Sequence, residues 1–248
     1  MTGGSKSPRS EWKSRPVPEL ITTSKIMSCN DPVFPVVETF CSIQGESTHA
    51  GRVCFFIRLA GCNLRCTYCD TLYAQNQCDG RALALSELIK QARSSGAGLV
   101  EITGGEPALN PDTPQLAQAL LDQGFEVLME TNGSVALEKF PRQLKCIIDV
   151  KLPSSGMAQH NLPAIYEQLK PGDEIKFVTG SRADFDWALE WIDRWGLHRK
   201  NVPLIFSCVF GAVTPEELTT WIIESKRAYL RFQLQMHKYI WHPSKRSV

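Results

Sequence analysis

Cys62, Cys66 and Cys69 stand close together in the run Gly61-Cys62-Asn63-Leu64-Arg65-Cys66-Thr67-Tyr68-Cys69-Asp70-Thr71. Three thiolates on one short loop converge on a single centre. Soft thiolate ligands select zinc, copper(I) or iron–sulfur clusters. Structural zinc takes four protein ligands in a closed site, and cubane clusters commonly take four cysteines. This loop supplies three, and a fourth from Cys54, Cys78 or His49 would come at no familiar spacing. Three ligands can also be the intended number. A [4Fe–4S] cluster held by three cysteines leaves one iron open, and an open iron can chelate the amino and carboxylate groups of S-adenosylmethionine.

The second chemical candidate is Thr103-Gly104-Gly105-Glu106-Pro107. Two glycines let the backbone approach a ligand closely. Glu106 can accept a hydrogen bond from an ammonium group, and Pro107 fixes the exit and removes one donor. The turn follows the cysteine loop by about one helix and one strand.

The elements that must position these residues alternate along the chain. VCFFIRL at 53–59 is β-branched and aromatic and predicts a strand. A helix follows at 85–96, with Ser86 as its N-cap and Gly96 as its stop. Further strands are expected at 99–103, 126–131, 145–151, 174–179, 202–210 and 231–236, and helices at 111–124, 183–195 and 215–228. Strands alternating with helices predict an α/β fold with a parallel sheet, either open or closed. Functional residues then gather at the carboxyl ends of the strands. Cys62–Cys69, Thr103–Pro107, Thr131–Gly133 and Asp149–Lys151 all fall at such ends.

Composition removes several function classes. Among 248 residues, Lys plus Arg is 27 against 26 for Asp plus Glu, which gives no support to a nucleic-acid binder. No apolar run approaches roughly 18 residues, so no membrane span is expected. Nine cysteines with no secretory apolar stretch at the start place the chain in a reducing compartment, the cytoplasm. Cys54, Cys146 and Cys208 lie in apolar strands and are expected as small core residues. Residues 1–30 are rich in Ser, Lys, Arg and Pro and are expected to be a disordered tail; the domain runs from 31 to 248.

The C-x3-C-x2-C spacing with Tyr68 before the last cysteine resembles the radical S-adenosylmethionine superfamily, and the G-G-E-P turn resembles its methionine-binding turn. Thr39-Phe40-Cys41-Ser42-Ile43-Gln44-Gly45-Glu46, Phe55-Phe56-Ile57-Arg58-Leu59-Ala60-Gly61-Cys62, Cys69-Asp70-Thr71 and Gln235-Met236-His237-Lys238-Tyr239 narrow this. Together they resemble the 7-carboxy-7-deazaguanine synthase family, over about residues 35 to 243. The resemblance implies a homodimeric, incomplete (β/α) barrel of about six parallel strands. It implies conversion of 6-carboxy-5,6,7,8-tetrahydropterin to 7-carboxy-7-deazaguanine with release of ammonia, on the way to queuosine and related deazapurines. The implied cofactors are a [4Fe–4S] cluster on Cys62, Cys66 and Cys69, S-adenosylmethionine and Mg2+; the implied partner is a reductant protein such as flavodoxin.

The resemblance also carries site residues. Arg58 would grip the pterin carboxylate with two parallel hydrogen bonds. Ile43, Gln44 and Gly45 match the substrate loop, with Glu46 beside them, and Thr103 and His237 match substrate contacts. Thr71 matches the Mg2+ ligand. Tyr68, Cys69 and Asp70 match the segment along the adenosyl group, and Gly104, Gly105 and Glu106 the methionine turn. Lys151 matches a cofactor-side lysine, but Asp149 stands where many relatives have serine. In some members a final proline carboxylate touches substrate; here Pro243 is followed by Ser244–Val248, so that contact is expected to be absent or replaced by another group. Two other readings predict different pieces. A glycyl-radical activase lacks the Q-G-E and H-K-Y segments, and a zinc module gives the G-G-E-P turn no role.

Overall fold

The computed structural model describes residues 31–248, which form one unit. The tail expected over residues 1–30 lies outside the described residues. Nine strands share one sheet: β1 (Val33–Ile43), β2 (Val53–Leu59), β3 (Arg81–Ala84), β4 (Leu99–Gly104), β5 (Glu126–Thr131), β6 (Lys145–Val150), β7 (Glu174–Thr179), β8 (Leu204–Cys208) and β9 (Leu230–Phe232). Their order is β3-β1-β2-β4-β5-β6-β7-β8-β9. From β2 to β9 every neighbour is parallel, giving seven such strands against the six or so expected. The order ends at β3 and β9 without those strands pairing, so the sheet curls as an incomplete barrel.

Five α-helices accompany the sheet: α1 (Leu85–Ser94), α2 (Thr113–Asp122), α3 (Arg182–Trp195), α4 (Pro215–Glu224) and α5 (His237–Ile240). Local chemistry sets their ends. The Ser181 hydroxyl accepts from the Asp184 amide to start α3, and Gly196 ends it in the left-handed region. Thr214 and Glu217 form a reciprocal capping box on α4, with Pro215 next. Ser86 is not the cap of α1 as expected: the N-cap is Ala84, and Ser86 bonds Asp31. The stretch expected as a strand over 231–236 is mostly the approach to α5, so His237 begins a short helix.

The sheet has two faces with different roles. Phe34, Val36, Ile57, Ile102, Met129, Ile148, Phe177 and Phe206 belong to the main core with the helices. Cys54, Phe56, Leu99, Leu128 and Ile147 form a second apolar cluster on the inner face. Cys54 and Cys146 are buried and Cys208 packs against the core, as expected. Strand β1, which the sequence reading did not assign, pairs antiparallel with β2, and its Phe40 and Ile43 line the lumen. The loop 44–52 after β1 covers the floor. Its Thr48 amide donates to Glu174 at 3.0 Å, and His49 lies 3.0 Å from Glu126, both at the amino ends of strands.

Candidate active site

Alternation within the strands builds the site. Arg58 pairs in register with Thr103, and Asp149 with Lys176, so these side chains share the inner face. They line a cavity of about 750 Å3. Every residue expected at the site lines it except Glu106.

The cysteine loop leaves the carboxyl end of β2 and is tied down on both sides. The Gly61 and Cys62 amides donate to Ala74 and Gln75 carbonyls, at 2.8 and 3.0 Å. The Thr67 amide donates to the Ser155 carbonyl at 3.1 Å, and one Arg65 nitrogen donates to the Cys62 and Leu64 carbonyls at 2.8 Å each. Asn132 approaches from the end of β5 and donates to Asn63 at 3.1 Å. The Tyr68 hydroxyl donates to the Val178 carbonyl at 3.2 Å, and burial pushes its phenol above the usual range. Burial likewise raises the Cys62 and Cys66 thiols.

The G-G-E-P turn is wedged against this loop. Gly104 has φ +134°, and a Cβ there would lie 2.0 Å from the Leu59 carbonyl oxygen. The Gly105 and Glu106 amides donate to Leu59 and Gly61 carbonyls, at 3.0 and 2.8 Å. Glu106 is turned away from the cavity and is 2% exposed. Its carboxylate accepts from the Ala108 amide, the Thr131 hydroxyl and the Asn132 amide, at 2.9, 2.8 and 2.6 Å. It braces the turn to the end of β5.

Opposite the cysteines, the 44–46 segment and α5 are interlocked. The Met236 amide donates to the Gly45 carbonyl at 2.9 Å. A Cβ on Gly45 would lie 2.4 Å from His237 Nδ1, so any larger residue would displace that ring. Burial lowers the His237 pKa, against the pull of Glu46, favouring the neutral ring. Lys238 donates to Asp70 at 2.9 Å; although burial opposes it, that charge holds the Asp70 carboxyl at about 2. The Thr71 hydroxyl donates to Asp70 at 2.9 Å. Lys151 donates to Asp149 at 2.9 Å; burial opposes its charge, but Asp149 holds the ammonium protonated.

Three lumen residues escaped the sequence reading: Glu101, Glu130 and Lys176. Lys176 is 4% exposed, lies 3.0 Å from Glu46 and also pairs with Glu130. Burial opposes its charge, but Glu130 and Glu46 hold it protonated. Burial and the neighbouring Glu130 push Glu101 well above the carboxylate range. Gln44 donates to Glu101, and its own carbonyl accepts from the Glu46 amide at 2.9 Å. The available signal was a charged residue at inward parity inside each of LVEIT, EVLMET and EIKFVT.

The radical SAM superfamily model matches residues 56–221. A 7-carboxy-7-deazaguanine synthase of Chlorobaculum tepidum is 42% identical over 216 residues, covering 86% of this chain and 96% of that one. The synthase of Koribacter versatilis is 37% identical, covering 86% and 99%. The chain belongs to the 7-carboxy-7-deazaguanine synthase family. It is therefore a radical S-adenosylmethionine enzyme, as its motifs implied. The crystal structure of QueE from Escherichia coli superposes with a TM-score of 0.68 at 24% identity, over 83% of this chain and 95% of that one, and shares the fold.

The donor set fits the family's cluster. Cys62, Cys66 and Cys69 offer three soft thiolates from one loop, the donor type such a cluster takes. Cys62, Cys66 and Cys69 all face the cavity, which leaves room beside them for S-adenosylmethionine. Coordination would deprotonate Cys62 and Cys66, whose thiols burial otherwise keeps neutral.

Proposed function

We propose that this chain converts 6-carboxy-5,6,7,8-tetrahydropterin to 7-carboxy-7-deazaguanine and ammonia in deazapurine (queuosine) biosynthesis. The observation that carries this is one cavity shared by three loop thiols and Arg58. Arg58 donates its Nε to Glu38, and among the described residues its two terminal nitrogens donate to no protein group. That fork suits a carboxylate held by parallel charge-assisted bonds.

Cys62, Cys66 and Cys69 would hold the cluster, which with S-adenosylmethionine would supply radical chemistry at C6 of the pterin. Arg58 anchors the carboxylate carried by that carbon. The Ile43–Glu46 backbone, Thr103 and neutral His237 hold the pterin's polar edge. Lys176 keeps Glu46 charged and pointing inward. Thr71 would offer a hydroxyl oxygen to Mg2+. The Gly104–Gly105 turn would hold the methionine end of the cofactor, and Lys151 with Asp149 would serve the cofactor side. A flavodoxin-like reductant supplies the electron, and the chain works as a homodimer in the cytoplasm.

The test is anaerobic reconstitution with iron and sulfide, then incubation with dithionite, S-adenosylmethionine, Mg2+ and the carboxytetrahydropterin. Mass spectrometry should show 7-carboxy-7-deazaguanine, absent from Cys66→Ala. A brown protein that releases only 5′-deoxyadenosine would refute the substrate and keep the superfamily.

A further inference from the structure

Strand β1 changes face part-way along. Phe34 and Val36 point to the outer core, so simple alternation would send Glu38 and Phe40 there too. The register instead runs Val36↔Leu59 and then Glu38↔Arg58, which leaves Val37 as an extra residue. This β-bulge turns Glu38 and Phe40 to the inner face. Without it, Val37 would stand opposite Arg58.

Once turned in, Glu38 meets three donors. Its Oε1 accepts from Arg58 Nε at 2.8 Å and from the Tyr73 hydroxyl at 3.1 Å. Its Oε2 accepts from the Ser247 hydroxyl at 2.7 Å. Burial opposes its charge, but Ser247 and Arg58 hold the carboxyl below its ordinary range. The guanidinium carbon of Arg58 lies 5.9 Å from the Phe40 ring centre and 6.0 Å from that of Tyr73. Arg246 covers the Tyr73 ring at 3.9 Å. Arg58, Phe40, Tyr73 and Ser247 all line the cavity; Glu38 sits behind them.

A guanidinium can present a carboxylate with either its Nε edge or its terminal pair. With Nε occupied, only the terminal pair remains. We propose that Glu38 is a positioning residue for substrate: it holds Arg58 by Nε, so that the two terminal nitrogens face the cavity as a fixed fork for a carboxylate, with Tyr73 and Ser247 holding Glu38 in turn. This rests on the pterin reading above and deepens it. A competing role, simple neutralisation of Arg58, makes the opposite prediction. Removing a nearby anion would then strengthen carboxylate binding.

The experiment uses reconstituted holoenzyme of wild type, Glu38→Ala and Glu38→Gln. KM and kcat are measured with the carboxytetrahydropterin, and affinity is measured separately for tetrahydropterin, which lacks the carboxylate. Glu38→Ala should raise KM at least about tenfold and leave kcat within about threefold. Glu38→Gln keeps an oxygen acceptor for Nε and should stay within about threefold of wild type in both. Tetrahydropterin should bind all three proteins alike. Should Glu38→Ala fail to fold, Glu38→Asp takes its place, because it keeps the charge but withdraws the acceptor; the same rise in KM is expected. The proposal is overturned by an unchanged or lower KM in the alanine or aspartate variant, by Gln failing as badly, or by equal losses with tetrahydropterin. A wild-type enzyme that does not turn over the carboxypterin would instead overturn the substrate reading beneath it.

Discussion

Replacing Lys176 by methionine removes the cation between buried carboxylates while keeping most of its volume. In the native lumen Lys176 is 4% exposed, sits 3.0 Å from Glu46 and pairs with Glu130. Removing one partner of a buried pair costs roughly 3–5 kcal/mol, because the other charge stays behind in low dielectric. For a domain of this size that is a fall in Tm of roughly 10–15 °C. The pH dependence follows from the same groups. Burial pushes the Glu46 and Glu130 carboxyls up, and Lys176 opposes this for both. Without Lys176, their folded pKa values rise above the unfolded ones. The folded variant then binds more protons than the unfolded chain, so its stability falls as pH rises. The deficit relative to wild type should therefore be largest near pH 8 and shrink toward pH 5.5. Anaerobic urea titrations at both pH values measure it, with Lys176→Arg as a charge-keeping control. A variant within about 1 kcal/mol of wild type at pH 8, or a deficit that grows on acidification, would refute the reasoning.

Gly45→Ala drives a methyl group to 2.4 Å from His237 Nδ1, so the His237 ring must give way; substrate turnover should fall by at least about a hundredfold while cluster iron stays bound, as read by product mass and iron analysis. Arg65→Ala removes two 2.8 Å bonds to carbonyls of the cysteine loop and should speed chelator-driven loss of cluster iron several-fold, at unchanged initial stoichiometry. Thr214→Ala dismantles the capping box of α4, whose residues do not line the cavity; about 1 kcal/mol of stability should go, with kcat and KM unmoved.

What the sequence made readable was whatever is contiguous along it. The three cysteines, the glycine turn and His237-Lys238 each carry their chemistry within a few residues, and each lines the cavity. Glu106 shows the limit of that reading. Its motif is linear, yet the backbone after Gly105 aims the side chain at the end of β5, where protein donors occupy it. Lys176, Glu101 and Glu130 lay in plain view inside apolar strands, but a charge there has meaning only once seven parallel strands curl and bring their inner faces together.

Glu38 was hidden for a sharper reason. Period-two alternation places it with Phe34 and Val36, on the outer face, where a carboxylate would be expelled. One inserted residue, Val37, reverses that assignment for the remainder of β1. The bulge has no composition of its own in V-F-P-V-V-E-T-F; it follows from pairing with β2, where Arg58 offers Glu38 a counter-charge inside the barrel. An unpaired Glu38 on the core side would cost several kcal/mol, while the bulge sacrifices one residue's regular pairing. The inner position therefore wins. The same choice that relieves a buried carboxylate also holds an arginine in the orientation that substrate anchoring requires.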